Sequence, residues 1–169
     1  MSLPLSGAAW NEGIAWIRLS GGPEAIQSAA KKIGSDHMVL HNKSDEGSKF
    51  WMDLKEQNLD FFKKPGDLWR LSLPAASPAE LTDFSNSSFL YDWLGALRWI
   101  KSRNEGQIVR EKAESAGGHA VLFRKDPDST ASQNDFCALN PGILKMHKRL
   151  KNIFDPGGIL NPGRMHPEF

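Results

Sequence analysis

The sequence predicts an α+β domain built on an antiparallel sheet, and three observations carry that expectation. Short β-branched or alternating apolar runs, such as Gly13–Leu19 and Leu68–Pro74, recur between stretches with helical spacing. Between Ser88 and Ile100 two apolar runs flank Gly95 with no helical stretch dividing them, as in a hairpin or in one long strand kinked at the glycine. The composition supplies a core, because 40% of the 169 residues are apolar and these include six Trp and nine Phe, enough for one ordinary domain.

Taken in order, residues 1–12 read as a leader or linker, since Met1-Ser2-Leu3-Pro4 carries neither a cationic nor an apolar signal region. Gly13–Leu19 is a strand stopped by Ser20-Gly21-Gly22. Pro23 opens a helix whose Ile26, Ala29, Ala30 and Ile33 share one face, and Gly34 ends it. His37–Leu40 is expected as a short strand, and Ser44 with two acidic residues opens a helix carrying Phe50, Trp51 and Leu54 on one side. After the turn Lys64–Asp67, Trp69, Leu71 and Leu73 alternate with Arg70 and Ser72, so one strand face packs and the other is polar. A helix over about Gln107–Ala116 ends at Gly117-Gly118, and His119–Arg124 follows as a strand. Lys125–Asp135 is a polar loop. Asn140 caps a last helix, with Pro141 in its first turn, Ile143, His147, Leu150 and Phe154 expected inward, and Lys145, Lys148 and Arg149 outward. This order implies a sandwich of ferredoxin-like, split βαβ type, with helices mainly on one sheet face and an irregular C-terminal tail.

Several function classes fall away. Lys and Arg number 21 against 20 Asp and Glu, so no summed field attracts a phosphate backbone, and nucleic acid is not an expected partner. The single cysteine, Cys137, excludes an intrachain disulfide and any multi-cysteine metal site and fits a reducing cytoplasm. No run reaches the roughly 18–20 apolar residues of a membrane span, so no direct membrane insertion is expected. The five histidines are scattered without a metal-ligand spacing, so no metal is expected. Gly21-Gly22, Gly117-Gly118 and Gly157-Gly158 fall at element ends and form no dinucleotide or P-loop pattern, and no G-x-S-x-G elbow exists.

The candidates for chemistry are few. Arg18, Arg70 and Arg98 each sit inside an apolar strand, where a guanidinium must reach solvent, pair with an acid, or meet an anionic ligand. Either a solvated sheet face or a carboxylate ligand held by the bidentate fork satisfies that demand. His119 stands at a strand entrance, where a packed histidine and a substrate-facing one are both open readings.

The most specific stretch is Leu150–Met165, a helix end followed by Phe154-Asp155-Pro156-Gly157-Gly158-Ile159-Leu160-Asn161-Pro162-Gly163-Arg164. It resembles the C-terminal signature of the FAD-linked oxidases of the vanillyl-alcohol oxidase type. With Asp67–Pro74, Tyr91–Trp99 and Gly117–Ala120, the chain is similar to the flavin-binding subunits of bacterial glycolate oxidases. The resemblance implies a cap, or substrate-side, domain over residues 13–153 and a tail over 154–169 that packs on a flavin domain this sequence does not contain. It implies FAD held mainly by that N-terminal domain, oxidation of a small 2-hydroxy acid such as glycolate, and inactivity of this portion alone. The implied partners are the flavin domain, the other oxidase subunits and the substrate, in the cytoplasm or at the inner face of the membrane through those subunits. No catalytic residue follows from it. The substrate candidates are Arg98, Arg70 and His119, and Asn161, Pro162, Gly163 and Arg164 are the candidates beside the flavin. A stand-alone ferredoxin-like protein-interaction module without catalysis is the alternative.

Overall fold

The computed structural model describes residues 3–34, 46–78, 87–129, 136 and 138–166. Among them lie strands β1 (Leu5–Asn11), β2 (Ile14–Leu19), β3 (Asp67–Ser72), β4 (Ser88–Asp92), β5 (Leu97–Ser102) and β6 (His119–Arg124). The helices are α1 (Pro23–Ile33), α2 (Glu46–Lys55), α3 (Asp60–Lys63), α4 (Gly106–Ser115) and α5 (Pro141–Phe154). The strands form one sheet in the order β2-β1-β4-β5-β3-β6, and every neighbouring pair is antiparallel. The expected α+β class and antiparallel sheet are therefore present. β5, α4 and β6 make a split βαβ unit around β3. The other crossover, from β3 to β4, runs through residues 79–86, outside the described residues, as does the strand expected at His37–Leu40.

Three expectations are corrected. Residues 5–11 are not a linker: β1 pairs with β2 on one side and β4 on the other. Its Ser6-Gly7-Ala8-Ala9 run has little intrinsic strand preference, and the small Gly7 lets the Trp51 ring lie close against the strand, where a Cβ would stand 3.1 Å from it. The helices, secondly, are not confined to one face. Leu68, Leu90, Leu97 and Trp99 point to one side and pack with Phe50 and Leu54 of α2 and Phe61 and Phe62 of α3. Trp69, Leu71, Ile100, Ala120 and Leu122 point to the other and pack with Val109 and Ala113 of α4. β3 and β5 are thus packed on both faces at Leu68, Trp69, Trp99 and Ile100, where each fully buried side chain of this size stabilises the fold by about 1.5–3 kcal/mol relative to exposure. Thirdly, α5 does not turn its apolar stripe inward. None of its residues is buried, and Ile153 and Phe154 are 71% and 79% exposed.

Close approach explains one glycine pair. A Cβ on Gly118 would lie 2.0 Å from the Ser72 carbonyl oxygen, so only glycine lets β6 begin against the end of β3. Gly117 beside it adopts φ +81°, a left-handed conformation that suits glycine.

Candidate functional site

Register assembles what the linear sequence only hints at. On β3, Arg70 and Ser72 face the α2/α3 side, opposite to Trp69 and Leu71. Ser72 pairs with His119 and Arg70 with Val121, so Arg70, Ser72 and His119 share one face across two adjacent strands. Here α2 and α3 no longer cover the sheet: Arg70, Ser72 and Val121 are half-buried and His119 is exposed. Leu97 stands opposite Ser72 on β5, and Asp92 opposite Leu97 on β4, so the row Asp92–Leu97–Ser72–His119 crosses four strands.

The hairpin tip overhangs this row. Trp93 and Leu94 adopt φ +48° and +57°, left-handed conformations that cost non-glycine residues of order 1–3 kcal/mol each. Asp92 steadies the tip by accepting a hydrogen bond from the Trp93 backbone N–H at 2.7 Å. Burial raises the Asp92 carboxyl above its ordinary pKa, with that hydrogen bond and the Arg18 charge pulling the other way. The Trp93 ring, 64% exposed, lies over the Arg70 guanidinium with 5.8 Å from its carbon to the ring centroid.

The sequence candidates separate. Arg70 and His119 come together on the open face. Arg98 pairs with Leu71 and points to the opposite face, so Arg98 and Arg70 do not converge on one ligand. Arg98 is 1% exposed and donates from Nε to the Gly95 carbonyl at 3.2 Å, from Nη1 to Pro78 at 2.5 Å and from Nη2 to Ser77 at 2.8 Å. Its guanidinium also lies over the Tyr91 ring, and burial lowers its pKa. Satisfaction by backbone carbonyls is an outcome the sequence did not signal. Arg18 is likewise engaged, donating to the Ser6 carbonyl at 2.8 Å and lying over Trp51. At the far end of the sheet the buried Lys101 donates to the Gly66 carbonyl at 3.0 Å, and burial lowers its pKa.

The tail forms a separate unit. Asp155 is buried and accepts from the backbone N–H groups of Ile159 at 3.1 Å and Leu160 at 2.9 Å, while Lys151 Nζ lies 2.7 Å from its Oδ2. The Lys151 hydrogen bond, then the Leu160 amide, hold the Asp155 carboxyl below the ordinary carboxylate range. Asn161 takes φ +47° and accepts at its carbonyl from the Arg164 N–H at 3.3 Å, and Asn161 through Arg164 are all exposed. None of this builds a pyrophosphate cradle. Gly118 is required by strand contact, and Gly157-Gly158 lies inside the turn that Asp155 closes, so the described residues do not by themselves fit a bound FAD. Among the described residues no cluster of metal-ligating side chains occurs, and no helix is long and apolar enough to cross a membrane.

The described residues thus form an antiparallel α+β domain with one open polar row, followed by a helix and a closed turn. The comparison with known sequences gives that arrangement a particular counterpart. The chain is 38% identical over 166 residues to glycolate oxidase subunit GlcE of Escherichia coli (strain K12), covering 98% of this chain and 43% of that subunit. It is also 27% identical over 140 residues to exocyst complex components SEC10a and SEC10b of Arabidopsis thaliana, covering 83% of this chain and 15% of each. The chain therefore spans less than half the length of these curated relatives. No family model matches the chain, and no solved structure does.

Proposed function

We propose that this chain is the substrate-side, C-terminal part of a flavin-dependent 2-hydroxy-acid oxidase subunit acting on glycolate, covering the flavin site in the whole subunit and inactive by itself. The observation that carries the reading is the 38% identity to the glycolate oxidase subunit along 98% of the chain. The uncovered stripe of α5 supports it, since Ile143, Met146, Leu150, Ile153 and Phe154 are all exposed on a helix that ends in the oxidase signature. FAD, which would supply the redox chemistry, is held by the part of the subunit outside this chain, with Asn161–Arg164 of the tail beside it. The remaining oxidase subunits are the other partners. On the substrate side we assign Arg70 and His119 to the ligand and Arg98 to holding the β4–β5 hairpin against the Ser77–Pro78 segment.

The test is reconstitution. A complex whose subunit carries this chain should oxidise glycolate, and the same complex with this portion deleted should not. The purified chain alone should contain no flavin and reduce no dye in the presence of glycolate. Stoichiometric FAD on the isolated chain, or turnover without another polypeptide, would overturn the reading. The interaction-module alternative draws on the SEC10a likeness, which covers only 15% of that protein. Full activity of the deleted complex would favour it.

A further inference from the structure

We propose that Arg70, Ser72 and His119, roofed by Trp93, form a binding site for a small monocarboxylate. The argument begins with how the strand arginines are satisfied. Arg98 donates to three carbonyls, Arg18 to Ser6, and Arg124 to the Gln57 side-chain oxygen. Arg70 is half-buried, yet with the described residues it makes neither a hydrogen bond nor an ion pair, only the contact with the Trp93 ring. A cation over an aromatic face is attracted electrostatically, but its N–H donors remain unfilled. None of the Arg70 nitrogens is both buried and unpartnered, so the fork is open to solvent, and a carboxylate that meets it with two oxygens is a natural partner to displace that water.

The neighbours define the shape of that acceptor. Ser72 and His119 also make no side-chain hydrogen bond with the described residues. The β3–β6 register puts His119 opposite Ser72 and diagonal to Arg70. Diagonal neighbours on adjacent antiparallel strands stand about 7–8 Å apart at the backbone, close enough for two long side chains to meet one small ligand. The planar guanidinium fork fits both oxygens of a carboxylate, and the Ser72 hydroxyl and a His119 ring N–H are donors for an oxygen on the next carbon. Asp92 is a carboxylate on the same face. β5 separates it from Ser72, and it is turned to the Trp93 N–H, so it is not directed at the Arg70 guanidinium.

The roof has its own logic. An indole 64% exposed, carried on two consecutive left-handed residues, is an arrangement that packing among the described residues does not require. Placed above Arg70, it excludes water from one side of the guanidinium and strengthens a carboxylate contact made from the other. Naming the acid as a 2-hydroxy acid rests on the function proposed above; the carboxylate site itself does not.

The purified chain should be titrated calorimetrically with glycolate, acetate and the neutral glycolamide, with tryptophan fluorescence followed in parallel. Glycolate and acetate are expected to bind and glycolamide not to. Arg70→Gln should weaken glycolate binding about tenfold or more, as for loss of a charge-assisted hydrogen bond, and Arg70→Lys should weaken it less. Trp93→Phe should remove the fluorescence change while leaving measurable heat. Absence of glycolate binding, equal binding of glycolamide, or Arg70 variants that fold and bind unchanged would each overturn the site. The two proposals fail separately. Arg70-dependent carboxylate binding in a chain whose parent complex does not oxidise glycolate keeps the site and removes the oxidase reading. Glycolate oxidation with a KM indifferent to Arg70→Gln keeps the oxidase reading and removes the site.

Discussion

The centre of the sheet and the C-terminal helix are built from the same kinds of side chain and meet opposite fates. Trp69, Leu71 and Ile100 on β3 and β5 are fully buried, whereas Leu150, Ile153 and Phe154 on α5 are 53%, 71% and 79% exposed. Both regions show clean periodicity, two residues in the strand and 3.6 in the helix. The difference lies in what covers them, because α4 lies on Trp69 and Leu71 while no described element buries a residue of α5. Hydrophobic periodicity states that a face needs cover. It does not state that the same domain supplies it.

The sharpest way to break this contrast is a matched pair of truncations. Trp69→Ala should destabilise the chain by about 3–5 kcal/mol, through lost transfer energy and the cavity left between β3 and α4. Leu150→Ala should change it by less than about 0.5 kcal/mol, since an exposed helical site loses little and Ala is a good helix former. Chemical denaturation of both variants measures the contrast, and a large loss at Leu150 would mean that α5 is packed in this chain after all.

A smaller effect separates the two arginines of the sheet. Arg98→Lys keeps the charge but cannot reach the carbonyls of Ser77, Pro78 and Gly95 together, so stability should fall by about 1.5–3 kcal/mol. Arg70→Gln, with no such partners, should leave the denaturation midpoint within about 0.5 kcal/mol of the parent.

The smallest effect is local to the tail. Because the Asp155 pKa is depressed on folding, its contribution is present above the unfolded carboxylate value and lost as pH falls through the lower folded value. The turn should hold at neutral pH and loosen only in acid below the ordinary carboxylate range. The amide resonances of Ile159 and Leu160 should report that transition, and Asp155→Asn should abolish it.

Much of the architecture was legible because the elements advertise themselves by period and punctuation. The strands around Gly95, the helix ending before Gly117-Gly118, and α5 with its Asn140 cap at the Gly142 N–H all follow from local chemistry. β1 escaped notice because small residues carry weak strand preference and its place is set by two partners distant in sequence. α3 is only four residues long, too short to display a period. The second covered face was hidden because Leu68 and Trp69 are adjacent and both buried, which alternation alone does not anticipate.

The open row was half legible. Alternation placed Arg70 and Ser72 on one side of β3, but only strand register brought His119 to them, and nothing local announced that Trp93 and Leu94 would turn left-handed. Arg98 has partners of a kind the sequence did not signal. Three of its hydrogen bonds go to backbone carbonyls of the hairpin and of Ser77–Pro78.

The closed turn after α5 bears on how a larger assembly would form. Its hydrogen bonds run from Lys151 and the Ile159 and Leu160 amides to Asp155, and from Lys151 to the Leu160 carbonyl, all within one short stretch of chain. A segment closed in this way would meet any surface it packs on with its backbone already shaped, so little disorder would have to be removed at the moment of contact. Side chains such as Ile159 and Leu160 would then be presented as a rigid template, and docking would be a matter of matching two preformed surfaces rather than folding one upon the other.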